Sequence, residues 1–237
     1  MARGMDAKRL AFVQGMDATR TTLSDWNRSP GSVLGPWVGW SVAVSVALLG
    51  AVWVIASVVT PDPTPLLVPG VNTAGSAGDA AHLFGRNLLV LALHAMACVA
   101  GFMAGSSLPQ VAEGQTGVSR WVHEKAGPLA IGFVVCATAF SLATQAWALG
   151  NAAATISSHF GLTPAQLLVC LLPHALPELT ALFLPLAAWV IASRQKRWHE
   201  LLAATVVTVA IALPVLALAS LVEIYVSPIL INAAAGF

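Results

Sequence analysis

The chain has 237 residues, of which 57% are hydrophobic and 9% charged, with a formal net charge of +1. Soluble domains carry about 25% charged residues, so this composition excludes an ordinary soluble globular domain and points to an integral membrane protein. The near-neutral charge balance also gives no electrostatic footprint for a nucleic-acid partner.

Residues 1–36 form a polar arm holding Arg3, Lys8, Arg9, Arg20 and Arg28. The arm is too long and too charged for the n-region of a signal peptide, so the first apolar run reads as a retained anchor. Phe12, Met16, Leu23 and Trp26 fall near one face of a helix, with Lys8, Arg9 and Arg20 elsewhere. Such a segment would lie on an anionic leaflet; a loosely ordered tail is the competing reading.

A helical span needs about 20 mostly apolar residues. Five stretches qualify, at about 38–60, 87–108, 127–149, 163–193 and 200–226, within a transmembrane domain over 37–230. Residues 231–237 are left as a short C-terminal tail. The expected fold is an all-α polytopic transmembrane bundle. The fourth span is over-long and carries Pro164, Pro173, Pro177 and Pro185, so it is predicted to be broken, with Pro173 and Pro177 as the helix breakers. The fifth contains Pro214 and is predicted to bend there. Cys98, Cys136 and Cys170 all fall in apolar runs, where they serve as small hydrophobes. Gly101 and Gly105 form a small-xxx-small pair, and alanines recur in the fifth span, so helix backbones can approach closely, within one chain or in a homodimer.

The basic residues orient the chain. With the N-terminus inside, ten of the eleven Lys and Arg residues are cytoplasmic: the five of the arm, Arg120, Lys125, Arg194, Lys196 and Arg197. Only Arg86 is outside, as the positive-inside rule requires. The C-terminus is then extracytoplasmic. Trp37, Trp40, Trp121, Trp189 and Trp198 fall near the inner interface and Trp147 near the outer one.

Pro173-His174-Ala175-Leu176-Pro177-Glu178 places an imidazole and a carboxylate four residues apart at membrane depth. A charged carboxylate at a helix centre costs roughly 2.5–3.5 kcal/mol on insertion scales, so such a group is paired, protonated or in use. Counting about 1.5 Å of rise per residue puts His94, His174, Glu178 and Glu223 in the outer half of the bilayer, with Arg86 and Asn87 at a similar height. The bland explanation is that His174 and Glu178 satisfy backbone groups freed by the prolines. The functional one is a polar site for an ion, a substrate or a partner. A His and a Glu at i, i+4 lack the second histidine of a zinc-protease motif, and no nucleophile elbow, P-loop or dinucleotide fingerprint is present. No catalytic residue, metal ligand set or cofactor is therefore expected.

Two of these segments are similar to signatures of the stage II sporulation protein M family. Leu172-Pro173-His174-Ala175-Leu176-Pro177-Glu178-Leu179 resembles its Pro-His-Gly-x-x-Glu-Leu, and Leu221-Val222-Glu223-Ile224-Tyr225-Val226-Ser227-Pro228 resembles its terminal Ile-Glu-Ala-x-Val-Thr-Pro. Asn87 and the Gly101–Gly105 pair also fit, over about residues 38–230. The family's glycine after the histidine is Ala175 here, and its Asn-Gly at the end of span three reads Gln145-Ala146. The resemblance implies a non-catalytic scaffold of the bacterial cytoplasmic membrane whose partners are envelope proteins such as peptidoglycan hydrolases. The alternative is a transporter or channel component using the His/Glu site.

Overall fold

The structure is a computed structural model that describes residues 16–64, 67–103, 105 and 117–236, with backbone alone over 117–131. Its helices are α1 (16–26), α2 (Pro30–Val58), α3 (Ala77–Phe102), α4 (Gly117–His159), α5 (Pro164–Arg194), α6 (Leu201–Tyr225) and α7 (Ser227–Ala235), with a 3₁₀ turn at Trp198–Glu200. No strand occurs among the described residues beyond an isolated bridge between Pro69 and Thr73. Five segments are long and apolar enough to cross a membrane: Pro30–Val58, Ala77–Phe102, Gly132–His159, Pro164–Arg194 and Trp198–Ala235. The protein is an all-α, multi-pass membrane bundle, as its composition requires.

Local chemistry sets the helix ends. At the start of α3, Ser76 and Asp79 form a reciprocal capping box. Ser76 N–H and Oγ donate to Asp79 Oδ2 at 2.9 and 2.7 Å, and Asp79 N–H donates back to Ser76 Oγ at 3.2 Å. Thr163 and Gln166 repeat the motif before α5, with Pro164 in the first helical position, where its missing N–H costs nothing. Two helices end in Schellman motifs. Gly161 (φ +66°) closes α4, with Leu162 N–H on Ser157 O and Gly161 N–H on Ser158 O. Lys196 (φ +57°) closes α5, with Arg197 N–H on Ala192 O and Lys196 N–H on Ser193 O. An L-residue in this region is strained by about 1–2 kcal/mol. Lys196→Gly is therefore expected to raise stability by about 0.5–1 kcal/mol, read as an upward shift in the unfolding midpoint in detergent.

The expected break in the fourth span is absent. α5 is one helix from Pro164 to Arg194, running through Pro173, Pro177 and Pro185. Each proline removes one intrahelical donor. Opening the helix in an apolar solvent would orphan several more groups, so the regular helix is retained. α6 runs from Leu201 to Tyr225 with Pro214 inside it. The arm and tail boundaries also move. α2 begins at Pro30, inside the expected arm, and the expected tail is helical to Ala235 with Ile231 buried.

The chain divides into two compact units. The first comprises Met1–Trp40, Ala92–Cys136 and Leu184–Ala210. Its core packs Trp37, Leu184, Ala187, Ala188 and Ala204, with Trp26 and Val207 against it. Trp26 meets Trp37 edge-to-face at 5.2 Å, so α1 uses its apolar side inward. Leu23 and Trp26 are half-buried while Met16 and Arg20 are exposed; Phe12, Lys8 and Arg9 lie outside the described residues. Gly101 sits against the Trp189 ring and Leu201, and Gly105 against the Trp198 ring. The small-residue pair therefore makes room for indoles rather than for another backbone. Trp37 and Trp189 are core residues, at 4% and 5% exposure, instead of members of an interfacial belt. Trp40 is exposed and carries Arg194 over its ring at 5.6 Å.

The second unit comprises Ser41–Leu91, Ala137–Phe183 and Ile211–Phe237. Its core is Val52, Ala56, Ala153, Ala154, Leu162, Leu167, Cys170 and Ile231. Buried hydroxyls bond backward along their own helices: Ser45 to Ser41 O at 2.8 Å and Ser220 to Leu216 O at 2.9 Å. Such back-bonds satisfy a polar group where no water is available.

Candidate binding site

Four of the five polar residues singled out in the sequence, His174, Glu178, Glu223 and Asn87, meet within the second unit, and each helix delivers its share by simple periodicity. On α5, Leu171, His174, Ala175 and Glu178 follow an i, i+3, i+4, i+7 pattern and share one face, while Pro173 and Pro177 are exposed. On α3, Asp79, His82, Leu83, Arg86 and Asn87 follow the same period. The sequence alone puts Arg86 and Asn87 at the mouth of the span. They lie well inside the helix because α3 begins at Ala77.

Glu223 and Ser227 come from either side of the α6–α7 junction. Pro228 cannot donate to the carbonyl of Ile224, which favours ending α6 at Tyr225 and starting α7 at Ser227. Gly70 packs against this carbonyl. A Cβ there would lie 2.5 Å from Ile224 O and 2.6 Å from Pro228 Cγ, and its φ is +82°. The loop is fixed by Gly70 N–H on Thr73 O and Val68 N–H on Asn72 Oδ1, both 2.7 Å.

His174 is buried, and its Nδ1 is 2.7 Å from the hydroxyl of buried Ser227, a bond linking α5 to α7. The other ring nitrogen, Nε2, faces Glu223 Oε2 at 4.0 Å, beyond hydrogen-bond length. Asn87 is a hydrogen-bonding neighbour of Glu178, and Arg86 acts electrostatically on both glutamates. Glu178 Oε2 is buried and has no hydrogen-bond partner among the described residues. A cavity of about 380 Å³ adjoins these groups, with His174, Glu178, Glu223 and Ser227 in its lining and Leu168, Leu171 and Ile156 among its apolar walls.

His174, Glu178, Glu223 and Asn87 are thus brought together. His94 is not; it belongs to the first unit and does not line the cavity. Ser227, Asp79 and His82 join the site without having been singled out. Ser227 stands one helical turn after Glu223 in sequence. The Ser76-Ala77-Gly78-Asp79 box marks a helix start that would have put Asp79 and His82 on the same face as Asn87.

Fold and site define a multi-pass α-helical membrane protein with a polar-ended cavity inside one of its units. Comparison with family models, curated proteins and solved structures gives no match to the chain.

Proposed function

We propose that the chain is a non-catalytic scaffold of the bacterial cytoplasmic membrane, of the kind found in the stage II sporulation protein M family, that positions envelope-remodelling partners. One observation carries this reading. The segments that bear the resemblance are far apart in sequence, yet Pro173–Glu178 and Glu223–Pro228 both contribute to the lining of one cavity and Asn87 neighbours Glu178 there. The His174–Ser227 bond joins α5 to α7, and Asn87 of α3 neighbours Glu178 of α5, so part of the polar set holds helices together, as a scaffold requires. The basic residues favour a cytoplasmic N-terminus and an extracytoplasmic C-terminus, which puts the site toward the outer face.

The test is crosslinking in the native membrane followed by mass spectrometry of the captured proteins. Wild type and Glu178→Gln, which keeps shape and hydrogen-bonding capacity, should both enrich peptidoglycan-remodelling proteins. Glu178→Ala should lower folded yield several-fold. Capture profiles indistinguishable from those of an unrelated five-span protein would overturn the scaffold reading.

The unpartnered Glu178 oxygen beside the cavity favours a second reading, a transporter component. It predicts ion- or pH-dependent flux in proteoliposomes that Glu178→Gln abolishes. Flux equal to that of empty liposomes would remove it.

A further inference from the structure

The cavity has a marked imbalance of hydrogen-bonding groups. An ionised carboxylate offers about four acceptor sites. Asp79 uses its Oδ2 in the α3 cap, accepting from Ser76. Glu178 has Asn87 as a donor neighbour and leaves Oε2 without one among the described residues. Glu223 has His174 Nε2 at 4.0 Å, too far to donate. Three carboxylates thus stand around a space, with Arg86 as the cationic neighbour of Glu178 and Glu223 and with His82 near Asp79 at the exposed rim, while His174 is engaged by Ser227. The remaining walls are aliphatic.

These features select a ligand. An anion would face three carboxylates. A neutral alcohol brings one donor and no charge. A bare metal ion requires several ligands at coordination distance, and no group of three His, Cys, Asp or Glu side chains among the described residues is placed to close on one. A primary ammonium brings three donors and a compensating charge from a single atom, and it needs no closed shell. The volume of about 380 Å³ suits a small organic molecule. Its aliphatic walls suit a hydrocarbon body.

We propose that this cavity binds a primary ammonium on a short apolar body, with the ammonium between Glu178 and Glu223 and the body along Leu168, Leu171 and Ile156. The inference rests on the cavity itself and is independent of whether the chain acts as a scaffold or a transporter.

The experiment is calorimetric titration of the full chain in phosphatidylcholine nanodiscs, with empty discs subtracted, using octylammonium, octanol and octanoate. Octylammonium should bind saturably and at least tenfold more tightly than octanol, and octanoate should not bind. Glu178→Gln and Glu223→Gln should each weaken octylammonium binding about tenfold without weakening octanol. Equal affinity for octylammonium and octanol, or unchanged affinity in both variants, would overturn the proposal. Should either variant fail to fold, the wild-type comparison of the three probes decides alone. Repeating the titration in discs containing phosphatidylethanolamine separates two sources of the same chemistry. Competition there assigns the ammonium to a lipid headgroup, and unchanged binding assigns it to a free amine.

Discussion

Gly70→Ala is expected to lower stability by about 2–5 kcal/mol, whereas Gly161→Ala is expected to cost only about 1–2 kcal/mol. Both glycines have positive φ, at +82° and +66°, so each substitution incurs the left-handed backbone strain. They differ in what surrounds them. At Gly70 the new methyl meets the backbone oxygen of Ile224 and the ring of Pro228, neither of which can turn aside; at Gly161 nothing lies within 4 Å. Unfolding midpoints in detergent measure the difference. Equal losses at the two positions would mean that the 67–76 loop does not dock on the α6–α7 junction.

The second large effect concerns His174 and Ser227. Both are buried, and each satisfies the other across 2.7 Å. His174→Ala should cost about 2–4 kcal/mol, because it leaves a buried hydroxyl without its partner and removes packed volume. Ser227→Ala should cost about 1–3 kcal/mol, because it strands a buried ring nitrogen. The double variant should lose about 1–2 kcal/mol less than the sum, since the second deletion removes a group already orphaned. Strict additivity in this cycle would show that the bond contributes nothing.

The five spans were legible in the sequence because a run of apolar residues long enough to cross a bilayer has few alternative uses. Their boundaries were less so. Proline and glycine over residues 61–86 hide the start of the second span, which apolarity alone puts at residue 87, whereas the Ser76–Asp79 box carries it back to Ala77. That shift explains the misplacement of His94. Measured from Ala77 it lies roughly 26 Å along the helix, not the roughly 12 Å obtained by counting from Arg86. The meeting of His174, Glu178 and Glu223 was readable from depth, because rise per residue is a reliable ruler once a helix is continuous. The same continuity overturns the proline expectation: Pro173 and Pro177 each remove a single donor, and a break would free further carbonyls that the bilayer cannot satisfy. In an apolar solvent the unbroken helix is the lesser cost. For tryptophan the reason is different. Sequence position gives the depth of Trp37 and Trp189 but not the side of the helix they occupy, and both turn inward.

The bond between His174 and Ser227 joins positions 53 residues apart. A ribosome adding about 5–20 residues per second needs roughly 3–10 s to bridge that gap. During that interval α5 has been made, yet its imidazole has no α7 to meet. The pocket is therefore completed late in synthesis, and whatever machinery shelters the nascent fourth span must tolerate an unsatisfied imidazole until the final helices arrive.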